Sequence, residues 1–209
     1  MSEPTSAKIL DWAVVRNTHV LLTSGSHTDR YFDQNVLTTS TDLQDQVARA
    51  LRNLLLRFEK ETGSKIKAIV GSLYEGGTWS SLIRQQIIQV DPTREINTAL
   101  TRWVGYRFSF VKDVESGHDD RDKVRGREVA IMNDVISTGA SVGPIRRAVE
   151  EAGGNPKVIL SLCDRRAAEV DPGDLPVLSL VKVDWPMWKP EECPFCVRPL
   201  VVPHQGREH

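Results

Sequence analysis

Arg127-Glu-Val-Ala-Ile-Met-Asn-Asp-Val-Ile-Ser-Thr-Gly-Ala-Ser141 describes a buried strand that runs into a phosphate-binding loop. Val129 to Met132 form a short continuous apolar run, the pattern of a central parallel strand covered on both faces. Asn133 and Asp134 end that run, and Val135 and Ile136 anchor the turn. Ser137, Thr138, Gly139, Ala140 and Ser141 then bring small side chains and hydroxyls to the start of a helical stretch near Val142. Backbone N–H groups at a helix start are unpaired and carry the positive end of the macrodipole, and Gly139 permits close backbone approach. Such a turn can wrap a phosphate, although the same residues also serve as a plain N-capping cluster in α/β proteins. Asp134 stands where a carboxylate can meet a sugar hydroxyl or a metal.

Outward from this stretch, helical and strand patterns alternate. Leu43, Val47, Leu51, Leu54, Leu55 and Phe58 recur at helical spacing after Thr41-Asp42-Leu43-Gln44, which reads as a capping box, and Gly63 closes the segment. Ile66 to Val70 reads as a second buried strand, Gly71 to Gly77 as a loop, and Thr78 to Val90 as a helix broken by Asp91-Pro92. Further strands are expected near Thr101 to Val111, Val158 to Leu162 and Val177 to Val183, with a helix from about Ser141 to Ala152. Right-handed crossovers between such units give an α/β fold around a parallel sheet whose ligands sit at the strands' carboxyl ends.

Composition excludes several other classes. The 209 residues are 40% hydrophobic, enough for the core of one domain. A net charge of −1 supplies no basic field to recruit nucleic acid, so any anion site must be built locally. No apolar run approaches the roughly 18 residues of a membrane span, and Met-Ser-Glu-Pro-Thr-Ser at the start lacks a signal peptide's basic and apolar regions. A cytoplasmic location is expected. Three cysteines, Cys163, Cys193 and Cys196, are too few for a disulfide framework in a chain of this length.

The opening stretch resembles the signature with which type I phosphoribosyltransferases bind phosphoribosyl pyrophosphate (PRPP): an apolar strand, two acidic residues, two apolar ones and a Thr/Ser-Gly-rich loop. The resemblance implies the type I phosphoribosyltransferase fold, a central, mostly parallel sheet flanked by helices with a small hood. Residues 1–209 then form a single domain, with segments 1–40 and 184–209 as hood and tail around a core of 41–183. It also implies that Asn133 and Asp134 hold the ribose hydroxyls, that Ser137, Thr138, Gly139, Ala140 and Ser141 hold the 5′-phosphate, and that Mg2+ binds with PRPP. Asp134 matches the second acid of the signature, while Asn133 replaces the first. An amide still bonds to a hydroxyl, yet it contributes no negative charge to an oxocarbenium-like transition state or to magnesium.

Three further stretches extend the likeness. Gly71-Ser-Leu-Tyr-Glu-Gly-Gly77 is similar to the family's pyrophosphate loop, which makes Tyr74, Glu75 and Gly76 PRPP-binding candidates. Glu75 departs from the pattern, since many orotate phosphoribosyltransferases carry a lysine there, and a carboxylate beside a pyrophosphate repels it unless a metal intervenes. Leu21-Leu-Thr-Ser-Gly-Ser-His-Thr-Asp-Arg-Tyr-Phe-Asp33 is a polar loop containing Gly25, His27 and Arg30 that closely resembles the segment lining the base pocket of orotate phosphoribosyltransferases. Thr23, Ser24, Arg30 and Tyr31 become base-binding candidates. Within Ser161-Leu-Cys-Asp-Arg-Arg166, an arginine at a strand's carboxyl end can grip a carboxylate through a two-point fork or remain a solvated edge. The resemblance assigns Arg165 to the substrate's carboxylate and leaves Arg166 as its neighbour.

Trp188-Lys-Pro-Glu-Glu-Cys-Pro-Phe-Cys-Val-Arg-Pro-Leu200 resembles the tail of one bacterial and archaeal branch of orotate phosphoribosyltransferases. Cys193 and Cys196 are half a zinc site, open to completion by Cys163, His204 or a second subunit, or else two structural thiols. The thiol reading is taken here and no metal is assigned.

A mobile loop rich in cations, with a histidine, precedes the PRPP strand in orotate phosphoribosyltransferases. The corresponding residues run from Phe108 to Arg125. Lys112 matches a family lysine and His118 lies one residue from the histidine's place, so these two, with Asp134, are the catalytic candidates. Glu115 stands where another lysine is expected, five acids (Asp113, Glu115, Asp119, Asp120 and Asp122) crowd the segment, and Arg121, Lys123 and Arg125 are its remaining cations. The function implied is magnesium-dependent phosphoribosyl transfer from PRPP to orotate or a related nucleobase in pyrimidine nucleotide metabolism, by a homodimer that releases pyrophosphate. The altered charges at Asn133, Glu75 and Glu115 keep a second reading open: a protein of the same fold that binds PRPP or a nucleotide as a sensor or assembly subunit.

Overall fold

The computed structural model describes every residue except 1–5, 16–17, 23–24, 74–75, 106, 114–116, 167–173 and 203–209. Its elements run α1 (Ser6–Ala13), β1 (Val14–Val15), β2 (Val20–Leu21), β3 (His27–Thr28), β4 (Tyr31–Phe32), α2 (Thr41–Thr62), β5 (Ile66–Ser72), α3 (Gly77–Val90), β6 (Asn97–Val104), β7 (Arg107–Phe110), β8 (Glu128–Ile136), α4 (Val142–Glu151), β9 (Asn155–Asp164) and β10 (Val177–Lys182).

Six strands form the sheet in the order β10-β9-β8-β5-β6-β7. All neighbours are parallel except the edge pair β6 and β7. Alternate side chains of the central strands feed two cores. Ile66 and Ile69 of β5, Ala130 and Met132 of β8 and Leu160 and Leu162 of β9 pack with Leu51 and Leu55 of α2 and Ile83 of α3. Ala68, Val70, Val129, Ile131 and Ile159 pack on the other side with Ile145 and Val149 of α4. A strand buried on both faces has no polar alternation, which is why β8 reads as a continuous apolar run.

Three local readings are corrected. The polar pair Asn133 and Asp134 does not end the central strand, because β8 pairs with β9 as far as Ile136 and Asp164. The cap of α2 is Ser40, whose hydroxyl accepts from the Leu43 N–H, one residue before the expected Thr41. The stretch from Thr101 to Val111 is two strands, turned back at Gly105, which takes φ 60. Gly63 closes α2 as expected, in the left-handed conformation.

The described amino-terminal and tail segments meet beside the carboxyl end of β9. Two short antiparallel pairs, β1 with β4 and β2 with β3, form the hood, and the tail joins it. Val20 bridges Val201, and His27 exchanges both backbone hydrogen bonds with Trp188.

Candidate active site

The strand ends of β5, β8 and β9 bring together most of the described PRPP candidates. Gly71 ends up opposite Met132, and Asn133 opposite Ser161, so the loop after β5 and the loop after β8 start side by side. Their closeness requires glycine. A Cβ on Gly76 would lie 2.1 Å from the Met132 carbonyl oxygen, and one on Gly71 would lie 2.5 Å from the Gly76 carbonyl carbon. The turn is pinned by the Gly76 N–H donating to Ser72 O and the Ser80 hydroxyl donating to Gly76 O. Tyr74 and Glu75 lie outside the described residues.

The loop after β8 is built as an anion cradle. Gly139 takes φ 72, and the helix α4 starts at Ser141 with no side-chain cap. Among the described residues, the backbone N–H groups of Ser137, Thr138, Gly139, Ala140 and Ser141 donate to no protein acceptor. Five adjacent donors at the positive end of a helix attract a phosphate. Asn133 is buried and Asp134 half-buried directly before this loop, and the Ser161 hydroxyl donates to the Asp134 carbonyl.

Arg165 is 3% exposed. Its backbone N–H donates to Ile136 O, which ties the end of β9 to the end of β8. Its guanidinium lies over the Trp185 ring at 5.4 Å and donates from Nη2 to Thr28 Oγ1, while Nε is buried without an acceptor. Burial pushes its pKa down from the ordinary value, against the opposing influence of Cys163 and Asp29. A buried cation with an unsatisfied donor is costly unless an anion joins it. Arg166 is more than a neighbour. It forks Asp164 through two 2.8 Å bonds, and although burial pushes that carboxyl's pKa up, the Arg166 hydrogen bonds bring it below the ordinary range. The Cys163 thiol, pushed up to about 12 by burial, is an inert core group.

The other base-pocket candidates divide. Thr23 and Ser24 lie outside the described residues. Arg30 reaches toward Asp29 at 3.5 Å. Tyr31 lines a hood cavity of about 260 Å3 with Val15, Thr18, Val20, Asp33, Asn35 and Val201, a wall that includes no residue from the ends of β5, β8 or β9. Thr28, inside the stretch Leu21 to Asp33 but not among its base-binding candidates, is the hood residue that touches Arg165.

Arg121, Lys123, Arg125 and His118 face acids within the loop after β7. Lys112 bridges Asp119 through the backbone. Arg121 holds Asp119 in a fork whose shortest arm is 2.5 Å, Lys123 lies 2.8 Å from Asp120, and His118 lies 3.4 Å from the same carboxylate. Asp120 is itself buried and accepts from the Leu100 N–H of β6. Arg121, Lys123 and Arg125 each face an acid of the same loop, Arg125 at 3.8 Å from Asp122. Glu115 lies outside the described residues.

Solved structures share this fold. Orotate phosphoribosyltransferase from Aeropyrum pernix superposes with a TM-score of 0.61 at 19% identity, over 85% of this chain and 93% of that one. The Mycobacterium tuberculosis enzyme in complex with PRPP gives 0.53 at 17% identity, over 73% and 81%. The fold is that of the type I phosphoribosyltransferases. No protein-family model matches the chain. Its sequence is 30% identical to the orotate phosphoribosyltransferase of Thermotoga maritima over 188 residues, 90% of this chain and 89% of that protein. The chain belongs to the orotate phosphoribosyltransferase family.

Proposed function

We propose that this phosphoribosyltransferase transfers the phosphoribosyl group of PRPP to orotate and releases pyrophosphate. The observation that carries the choice of acceptor is Arg165, a buried guanidinium with an unsatisfied Nε–H at the carboxyl end of β9. Orotate differs from other pyrimidine bases by its carboxylate, the group such a fork binds. The N–H groups of Ser137 to Ser141 receive the 5′-phosphate, Asn133 and Asp134 hold the ribose hydroxyls, and the turn from Gly71 to Gly77 receives the pyrophosphate through its backbone.

The donors at the strand ends are a carboxylate, an amide and hydroxyls, an oxygen set that suits a hard cation such as Mg2+. Asp134 is the described side chain that would hold it, and there it would help neutralise the leaving group's charge. Asn133 stabilises the ribose by hydrogen bonding alone, so positive charge that develops on the sugar faces one carboxylate where the family signature has two. Together with the internally paired Arg121 and Lys123, this points to slow turnover without loss of the site.

Incubation with PRPP, Mg2+ and orotate, followed by chromatographic detection of orotidine 5′-monophosphate and of pyrophosphate, tests the reading. Stoichiometric formation of both supports it. PRPP binding without either product would instead favour the sensor reading.

A further inference from the structure

We propose that His19, His27, Cys193 and Cys196 form a structural zinc site that clamps the hood to the tail, separate from the magnesium that accompanies PRPP. The four ligand atoms lie within 4.8 Å of one another, two from the hood hairpin and two from the Cys-Pro-Phe-Cys turn. Tetrahedral Zn2+ with bonds of roughly 2.0–2.1 Å to nitrogen and 2.3 Å to sulfur separates its ligand atoms by about 3.3 Å (N to N), 3.6 Å (N to S) and 3.8 Å (S to S). Here His19 Nε2 and His27 Nδ1 are 2.9 Å apart. Cys193 Sγ lies 3.6 Å and Cys196 Sγ 3.9 Å from His19 Nε2, and Cys196 Sγ lies 3.4 Å from His27 Nδ1. The four atoms already approximate the corners of that tetrahedron.

Neighbouring groups prepare the ligands. His19 Nδ1 is 3.1 Å from the Arg198 carbonyl, which accepts only from an N–H, so in the neutral ring the lone pair sits on Nε2 and faces the centre. The Phe195 N–H donates to Cys193 Sγ at 3.4 Å, a bond that steadies a thiolate. Three of the four residues are buried and Cys196 is at the surface, which gives the ion a route in. Binding releases two thiol protons, and two thiolates with Zn2+ leave the site neutral, as a buried site requires. Two imidazoles and two thiolates are a borderline-soft set that selects zinc over magnesium, and four protein ligands leave no open position for catalysis.

The role follows from connectivity. His27 and Thr28 are the two residues of β3, and the Thr28 hydroxyl both donates to Pro186 O and accepts from Arg165. An ion that fixes His27 against the tail therefore positions the hood side of the Arg165 site.

Metal analysis of tag-free, full-length protein tests the proposal without reference to its activity. The expected result is about one zinc per chain, retained through desalting. Replacement by Co2+ is expected to give the strong visible bands of a tetrahedral ion and a thiolate-to-cobalt charge-transfer band. Cys193→Ser with Cys196→Ser removes both. The second arm rests on the proposed reaction: a chelator-stripped enzyme shows a higher KM for orotate and an unchanged KM for PRPP, restored by added zinc. Zinc-free protein that takes up neither ion, or zinc retained in the double serine variant, would overturn the proposal. If that variant fails to fold, the wild-type stoichiometry and cobalt spectrum decide.

Discussion

The Arg165 guanidinium donates to Thr28 Oγ1 across 3.3 Å, so the carboxyl end of β9 is tied to a hood strand 137 positions away in the chain. That bond satisfies one of the guanidinium's donors, and Nε remains buried without an acceptor. The free protein thus carries the cost of a buried, unsatisfied donor. Arg165→Met removes the unsatisfied donor while filling similar space, and is expected to stabilise the ligand-free protein by about 1–3 kcal/mol. Urea midpoints compare the two. A variant that unfolds earlier than wild type would show that the Thr28 and Trp185 contacts outweigh the buried charge.

Gly76→Ala places a methyl group against the Met132 carbonyl, and both atoms belong to backbone held by sheet or helix start. Overpacking of this kind costs roughly 3 kcal/mol. The expected outcome is a lower melting temperature together with weakened PRPP affinity, because the turn must lift off the end of β8. Titration with PRPP reads the second effect, and wild-type affinity in the alanine variant would remove this turn from the site.

Asn133→Asp restores the missing negative charge beside the ribose. Turnover is expected to rise about tenfold, which corresponds to about 1.4 kcal/mol of transition-state stabilisation, with the KM for PRPP little changed. Position 133 is buried, and burial disfavours the charged carboxyl, so the gain grows as pH rises. Steady-state rates across neutral pH check both the size and the slope; an unchanged or lower turnover would mean that the amide is not the handicap.

Hydrogen bonds from the Arg121 side chain and backbone lower the pKa of Asp119 to about 2. The unfolded carboxyl titrates near 3.9, so this pair stabilises the folded loop above about pH 4, and the contribution fades as pH falls toward 2. Its size is small, since the Arg121 side chain is 54% exposed and solvent screens it. Asp119→Asn is expected to shift urea midpoints slightly at neutral pH and less in acid. It also frees Arg121, and faster pyrophosphate release is expected in the same variant.

Much of the candidate site's architecture was legible in sequence because its signals are local. The apolar run of β8 followed by Ser-Thr-Gly-Ala-Ser specifies strand, turn and helix start within fifteen residues, and the structure adds that the helix start has no side-chain cap. The glycines at 71 and 76 mark a turn for a steric reason that sequence only hints at, the carbonyl of Met132 across the sheet. Long-range pairings were not legible. Thr28 meets Arg165, and His19 and His27 meet Cys193 and Cys196, only because the described amino-terminal and tail segments converge beside the carboxyl end of β9. Ion pairing inside the loop after β7 was hidden as well, since a list of charges does not say which acid each cation faces.

The most direct test of Arg165 as the acceptor's anchor is the ratio of transfer rates to orotate and to uracil, which lacks the carboxylate, in wild type and in Arg165→Met. A preference for orotate of about a thousand-fold or more in wild type, falling to within about tenfold in the variant, is the predicted result. Equal use of both bases by the wild type, or a preference that survives the substitution, would contradict it.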